Sequence, residues 1–499
     1  MSTPVRAPTD ADLADLRPLY VVWETTLACN LRCTHCGSRA GLARPNELTT
    51  EECLSVIAQL HALGTREITL IGGEAYLRRD WLTLVEAISS RDMLCGLQTG
   101  GRALTPARIA QAAQAGLKSA GISIDGMPDV HDQLRGVRGS FRSALNALRA
   151  CRAEGLTGSV NTQINALNIG QLRQLMDVII AAGCKAWQVQ LTVAMGRAAD
   201  RPELLLQPHD LLQLMPLLAD LFVEGQRRGL RLMPGNNVGY FGPYEALWRS
   251  ITGKLEYYGG CNAGRTALGI EADGTIKGCP SLPTSDYAGG NVRDTPLREL
   301  WERSARIGFT RSRADNHARL WGYCRQCVYA ENCQGGCSWT SHVLSGRPGN
   351  NPYCHHRAIE LDRNHLRERI VPRRPAEGKP FDYGLYEIIV EDSTGRQFDQ
   401  DIFREIFAEN PRSPVSPPDL SLCDACGEFF ASHLPACSHC QAEAAPERDI
   451  AARRAMLSRV EAQIVDLQRH GSALENTIAR MLRDNTAGQP DRPDQRRLP

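Results

Sequence analysis

The chain has 499 residues, of which 42% are hydrophobic and 23% charged, with a formal net charge of +1. Such a length predicts roughly two to four domains, and so even a charge balance supplies no field favouring nucleic acid or an anionic membrane. The N-terminal stretch has no apolar signal core, and no run of about 18 uncharged apolar residues occurs, so the sequence predicts a cytoplasmic chain with no membrane partner.

In that compartment the 18 cysteines are expected to bind metal or clusters, since disulfides are rare there. They fall into three groups, at 29–36, 261–354 and 423–440. Cys53, Cys95, Cys151 and Cys184 lie apart, in or beside apolar periodic segments, and read as small buried hydrophobes.

Strand and helix patterns alternate from Leu19 to about Leu191. LYVVWETT is an apolar, β-branched run, and Thr49–Gly64 follows with helical spacing and a terminal glycine. REITLIGG reads as strand, DWLTLVEAISS as helix and MLCGLQTGG as strand. TPARIAQAAQAG is a helix opened by Thr-Pro and stopped by Gly. KSAGISIDG, GSVNTQIN and KAWQVQLTV supply further strands, separated by the helical runs SFRSALNALRACRAEG and IGQLRQLMDVIIAAG. Such alternation implies an α/β fold, a parallel sheet covered by helices. A partial (β/α)6 barrel is expected, with an open sheet as the rival. In both, ligands gather at the C-terminal ends of strands. The polar motifs sit there: a three-cysteine loop after the first strand, then Gly-Gly-Glu, Gln-Thr-Gly-Gly and Ser-Ile-Asp-Gly after the next three.

The expected organisation is a tail at 1–18, the α/β core at 19–205, a Leu-rich helical bridge at 206–257 and a turn-rich, cysteine-dense domain at 258–370. A linker at 371–419 has Pro-rich ends around a β-like piece, YGLYEIIVE. A small cysteine module follows at 420–443. Leu457, Val460, Ile464, Leu467, Leu474, Ile478 and Met481 predict a helix at 446–484, in a short coiled coil or packed on its own domain. Residues 485–499 read as a disordered tail.

Cys29, Cys33 and Cys36 stand at C-x3-C-x2-C. A closed structural zinc site takes four protein ligands, and disulfides need an even count. Three thiols in one loop therefore describe a site with one coordination position left open. Three thiolates can hold three irons of a 4Fe–4S cluster and leave the fourth for a ligand from outside the chain. The rival is a zinc loop completed by a distant ligand, such as His35.

This loop, followed after the next strand by Gly72, Gly73 and Glu74, resembles the radical S-adenosylmethionine superfamily. The resemblance implies that the open iron chelates the amino and carboxylate groups of S-adenosylmethionine. An electron then cleaves the sulfonium, giving a 5′-deoxyadenosyl radical that abstracts hydrogen. It makes Cys29, Cys33 and Cys36 the ligands of the catalytic cluster and places His35 near the adenine. Gly72, Gly73 and Glu74 would meet the methionine amino group, the glycines by close backbone approach and Glu74 as acceptor for the ammonium. Ala75 and Tyr76 depart from the family's usual Pro-Leu. In SIDGMPDVHDQLRG, Ser123 and Asp125 would lie near the ribose and Arg135 would pair with the methionine carboxylate as a fork. Thr99, Gln163 and Gly196–Ala198 are further cofactor contacts of the same kind.

In the second cysteine group, Cys261 is followed by G-x4-C ending at Cys279. Then come Cys324, Cys327, Cys333 and Cys337 at C-x2-C-x5-C-x3-C, and finally Cys354. This constellation resembles the SPASM domain, with two zinc knuckles as the rival. The resemblance implies two auxiliary iron–sulfur clusters. Cys324, Cys327, Cys333 and Cys354 would hold one; Cys337 would join Cys261 and Cys279 on the other, leaving that cluster without a fourth cysteine. A buried cluster can accept an electron from a substrate radical, so a net oxidation such as crosslinking or desaturation is expected. Members that mature sulfatases have Asp directly after the G-x4-C cysteine, where this chain has Pro280. The first strand begins near Leu19, so no leader-binding domain is expected ahead of it.

Cys423, Cys426, Cys437 and Cys440 stand at C-x2-C-x10-C-x2-C. Two such knuckles close a tetrahedral structural zinc site resembling a zinc ribbon, with rubredoxin-like iron as the rival. The combined expectation is an enzyme that oxidatively modifies a ribosomally made peptide, served by a reductant such as flavodoxin or ferredoxin. A dehydrogenase of a small molecule or cofactor precursor is one alternative, and a non-catalytic redox or scaffold protein is another.

Overall fold

The computed structural model describes residues 6, 8–249, 257–399, 402–403, 420–422 and 429–431. The chain divides into two compact units, Met1–Pro417 and Pro418–Pro499.

In the first unit the six expected strands are β1 (Tyr20–Glu24), β2 (Glu67–Ile71), β3 (Leu94–Thr99), β4 (Ser119–Ser123), β5 (Thr157–Ile164) and β6 (Ala186–Leu191). Each pairs in parallel with the next. β7 (Arg231–Pro234) continues the sheet beyond β6. On the other side, β8 (Ala267–Ile270) pairs in parallel with β1, and β9 (Ile276–Lys277) is antiparallel to β8. The resulting order is β7-β6-β5-β4-β3-β2-β1-β8-β9. The first unit is thus a mixed α/β fold whose sheet matches an open barrel, followed by a helix-rich cysteine region.

The connecting helices start at the signals the sequence carries. Thr49 caps Thr50–Ala62 by accepting from Glu52 N, while the Glu52 carboxylate accepts from Thr49 N at 2.8 Å. This reciprocal cap satisfies two of the helix's unpaired amides. Thr105 and Pro106 open Pro106–Gln114. On the sheet, Leu70, Leu97, Ile122, Val160 and Trp187 are buried. Gln98, Ser123, Asn161, Gln163, Gln188 and Gln190, on the opposite face, are half-buried. The period of two separates an apolar face from a polar one.

Part of the stretch expected as a linker is strand. β10 (Leu366–Arg374) pairs antiparallel with β11 (Leu385–Asp392), which carries the β-like piece, and β12 (Gln397–Phe398) completes this sheet. Pro372 is tolerated because β10 is an edge strand, where a missing amide donor costs no ladder bond. Leu366, Glu368 and Ile370 are buried in alternation. The fully buried Arg357 pairs with Glu368, so the strand is anchored by charge as well as by apolar contact.

In the second unit β13 (Leu420–Leu422) and β14 (Phe429–Ala431) form an antiparallel pair around the sequence CDACGE. Cys423, Cys426, Cys437 and Cys440 lie outside the described residues, as do the helix expected at 446–484, the tail at 485–499 and nearly all of 400–419. Among the described residues no helix is long and apolar enough to cross a membrane.

Candidate cofactor and cluster sites

The loop after β1 presents its three cysteines with donors aimed at the sulfurs. Leu31 N donates to Cys29 Sγ at 3.4 Å, Ala40 N to Cys36 Sγ at 3.4 Å and Arg135 Nη1 to Cys33 Sγ at 3.6 Å. Burial pushes the Cys29 thiol up to about 12 and raises Cys33 too. As free thiols both are therefore protonated near neutral pH, and it is a metal that would draw them into the thiolate form.

The Gly-Gly-Glu segment is pressed onto this loop. Gly73 N donates to Thr26 O at 2.7 Å and Glu74 N to Ala28 O at 2.8 Å. A Cβ on Gly72 would sit 2.2 Å from Thr26 O, and one on Gly73 2.2 Å from Ala28 O. Both positions need glycine because backbone meets backbone there. Glu74 is buried, its carboxylate accepting from Thr99 Oγ1 and, at 2.7 Å, from Gly100 N. It makes no ion pair among the described residues. Burial raises its carboxyl to about 7, against the pull of the Thr99 and Gly100 donors. Tyr76, where the family pattern differs, is buried; its hydroxyl accepts from Asn30 at 3.3 Å and from Ala103 N at 3.2 Å. It braces the loops beneath the site.

Asp125 follows β4 and is fully buried. Its Oδ2 lies 2.5 Å from Arg135 Nη2 and 3.2 Å from His35 Nε2. Burial alone would raise this carboxyl, but Arg135 and then His35 hold it well below the usual range. Arg135, at the end of the helix Pro128–Arg135, bridges Asp125 and Cys33. In this structure its fork is therefore turned to the protein's own carboxylate. The buried Nδ1 of His35 has no hydrogen-bond partner among the described residues. Ser123 Oγ accepts from Gln98, whose Oε1 accepts from Asn161 at 2.7 Å. Gln163 contributes its backbone N, donating to Asp125 Oδ1 at 3.0 Å.

Within Gly196–Ala198 the contacts come from the arginine: Arg197 Nε donates to Cys33 O at 2.7 Å and Nη2 to Ala40 O at 3.0 Å, clasping the cysteine loop from behind. Two further contributors, His131 and Asn168, escaped the sequence reading. His131 Nδ1 accepts from Asp125 N at 3.1 Å. Asn168 Nδ2 donates to Asp125 O at 2.6 Å. Arg197 and Asn168 hold main-chain groups, and the sequence carries no periodic or motif signal for that.

The second cysteine group sorts into four and three. Cys324, Cys327, Cys333 and Cys354 line one pocket with Tyr240 and Phe241. Burial raises the Cys333 thiol well above its ordinary value, and Cys354, Cys324 and Cys327 raise it further. Burial likewise lifts Cys337 to about 12, with Cys261 and Cys279 as its raising thiol neighbours. No three His, Cys, Asp or Glu side chains among the described residues converge on the sphere of a single ion.

The donor chemistry fits the groups the resemblance implies: three thiols in one loop, and near them a buried carboxylate with no ion-pair partner among the described residues. Residues 23–178 match the Radical SAM superfamily, and residues 261–328 match the SPASM iron–sulfur cluster-binding domain. The mycofactocin maturase MftC of Mycobacterium tuberculosis is 29% identical over 367 residues, 72% of this chain and 88% of the relative. The AdoMet-dependent heme synthase of Nitratidesulfovibrio vulgaris is 26% identical over 335 residues, 65% of this chain and 89% of the relative. Native anSMEcpe with bound AdoMet has the same fold at a TM-score of 0.56 and 17% identity, covering 68% of this chain and 96% of that one. SuiB of Streptococcus suis bound to S-adenosylmethionine follows at 0.52 and 18%, covering 68% and 76%. Residues 23–178 form a radical S-adenosylmethionine domain, and the chain is an enzyme. It carries an associated SPASM iron–sulfur domain and is related to the mycofactocin maturases. Membership implies binding of S-adenosylmethionine and of iron–sulfur clusters.

Proposed function

We propose that this enzyme oxidatively modifies a ribosomally made peptide, by crosslinking, desaturation or a related loss of hydrogen. The observation that carries the cofactor reading is the pressing of Gly72–Glu74 onto the three-cysteine loop, which sets a buried carboxylate, with no ion-pair partner among the described residues, near the three thiols. In this reading residues 19–205 are the radical core and 258–370 the auxiliary-cluster domain. Cys29, Cys33 and Cys36 hold the catalytic cluster. Glu74, fixed by Thr99 and Gly100, accepts the ammonium of the methionine moiety. His35 offers its unpartnered Nδ1 toward the adenine, with Ser123, Asp125 and Gln163 on the ribose side. Arg135 acts on the site through Cys33 and Asp125. When bound, the cluster and S-adenosylmethionine supply a 5′-deoxyadenosyl radical for hydrogen abstraction.

Cys324, Cys327, Cys333 and Cys354 hold one auxiliary cluster. Cys261, Cys279 and Cys337 hold the other, with a non-cysteine position on it. Cys423, Cys426, Cys437 and Cys440 close a structural zinc site. Support for a peptide substrate comes from the MftC relatives, which are named maturases. A SuiB structure with its precursor peptide SuiA also shares the fold, at 18% identity. The heme synthase relatives favour a second reading, oxidation of a small molecule.

Anaerobic incubation with S-adenosylmethionine, a strong reductant and each short peptide encoded beside the gene tests the proposal. Release of 5′-deoxyadenosine with loss of two hydrogens from one peptide is expected. Release without change to any peptide favours the second reading.

A further inference from the structure

The barrel mouth has a charged corner at its β1–β8 side. Arg44 reaches Glu24 at 3.1 Å, Glu271 at 2.8 Å and Asp273 at 3.2 Å. Lys277 of β9, fully buried, places Nζ 2.7 Å from Glu271. On the far side of the strand order, the chain leaving β6 passes through Val193, Met195 and Gly196.

Residues 379–384, KPFDYG, touch both sides. Phe381 packs against Val193, Met195 and Val343, and its ring centre lies 3.9 Å from the Lys277 ammonium. Gly196 N donates to Asp382 O at 2.8 Å, and Met195 and Tyr383 are antiparallel bridge partners. Arg39, three residues beyond Cys36, donates to Asp382 Oδ1 at 2.6 Å. The Tyr383 hydroxyl lies 3.0 Å from His342 Nε2 and donates to Asp286 at 3.2 Å. A segment that contacts both flanks of an open barrel spans its opening.

Three properties separate this segment from an ordinary connection. Its backbone pairs with residues 195–196, outside its own sheet, in the manner of an added strand. Phe381 holds φ at +56°, a conformation a bulky side chain adopts only when its surroundings impose it. Two of its anchors are an aromatic ring set beside a cation and a carboxylate on an arginine, and a free peptide can present both.

We propose that residues 379–384 form a displaceable strap across the barrel mouth, and that its seat receives an extended peptide segment presenting an aromatic side chain followed by an acidic one. This rests on the peptide reading above and names the substrate feature. The incoming segment pairs with Met195 and Gly196, sets its ring against Val193 and Lys277, and gives its carboxylate to Arg39. The strap, seated in a strained conformation, yields to a segment that is not.

The test uses a fluorescent hexapeptide, Lys-Pro-Phe-Asp-Tyr-Gly, titrated by anisotropy into iron-replete holoenzyme and into its F381A/D382A variant. Binding at least tenfold tighter to the variant is expected, and loss of that binding when the peptide's Phe or Asp is replaced by Ala. D382N, which keeps the side-chain size, gives a smaller gain in the same direction and serves should the double variant fail to fold. In wild type, a saturating concentration of hexapeptide raises hydrogen exchange at 379–384. Equal affinity for wild type and variants, no binding to either, or unchanged exchange overturns the proposal. Hexapeptide capture with no peptide chemically modified leaves the strap standing and removes the peptide-modification reading. A modified peptide whose binding ignores the strap does the reverse.

Discussion

Arg135 and Asp125 form a buried ion pair at 2.5 Å, and the same guanidinium donates to Cys33 Sγ. The pair therefore ties the end of β4 to a sulfur of the cysteine loop. Replacing Arg135 by Met leaves the Asp125 charge buried without its arginine, beside His35 and His131, a change that costs about 3–5 kcal/mol when such a pair is broken on one side. R135M is expected to lower the denaturation midpoint and the iron bound by the loop. R135M/D125N should recover part of the stability, because no charge is then stranded. Equal midpoints for the single and double variants would speak against the pair.

Gly73→Ala places a methyl 2.2 Å from Ala28 O, so the Gly-Gly-Glu segment must lift off the cysteine loop and carry Glu74 with it. Affinity for S-adenosylmethionine is expected to fall by about tenfold or more, a loss of about 1.4 kcal/mol, with the circular dichroism spectrum unchanged. Equilibrium dialysis of the reconstituted enzyme measures it.

His131 is buried, and desolvation, with Arg135 adding, lowers its imidazole to about 4. The folded protein thus binds fewer protons than the unfolded chain between about 4 and 6.5. By linkage, the contribution of neutral His131 is fully present above about 6.5 and is lost as pH falls toward 4. A urea midpoint that declines between pH 6.5 and 4 is expected, with a shallower decline in H131Q. Parallel curves for the two proteins would remove His131 as the cause.

Cys29→Ala, Cys33→Ala and Cys36→Ala should each abolish 5′-deoxyadenosine release and lower the iron content by about four atoms per chain. The remaining iron stays, because Cys324, Cys327, Cys333 and Cys354 line a separate pocket and Cys337 neighbours Cys261 and Cys279. Iron analysis with electron paramagnetic resonance checks this, and cofactor cleavage by any of the three variants refutes the assignment.

Local rules made the α/β core readable. The helical spacing and terminal glycine of Thr49–Gly64 and the Thr-Pro start at Thr105 are properties of neighbouring residues, and they place the elements. The candidate site was readable where a motif carried it, as at Cys29–Cys36 and Gly72–Glu74. What a motif cannot carry is the partner. Nothing near Arg135 in sequence says that it turns to Asp125 and Cys33, and nothing near Arg197 says that it clasps Cys33 O. The motif marks Gly72 and Gly73 as room for a ligand, yet a Cβ there meets the backbone of Thr26 and Ala28. β10 is partly hidden because Pro372, with Pro375 just beyond the strand, looks like a linker signal, and its edge position makes Pro372 harmless.

Removal of residues 420–499 should spare 5′-deoxyadenosine release and weaken action on the peptide, since the chain divides near Pro418 and the cysteine loop lies wholly in the first unit. Turnover at limiting peptide concentration measures the loss. Unchanged turnover would deny the second unit a part in recognition.

β8 belongs by sequence to the cysteine-dense region, yet it lies beside β1, with Tyr20 opposite Ala267 and Trp23 opposite Ile270. The SPASM-matching region is therefore woven into the sheet and cannot be exchanged as a cassette. A chimera cut between residues 257 and 267 would strip β1 of a neighbour and bare a row of unpaired amides and carbonyls beside the cysteine loop, an invitation to pairing between chains. Any transplant of this region onto another radical enzyme must carry a strand cut to the recipient's β1, and natural shuffling of the region faces the same constraint.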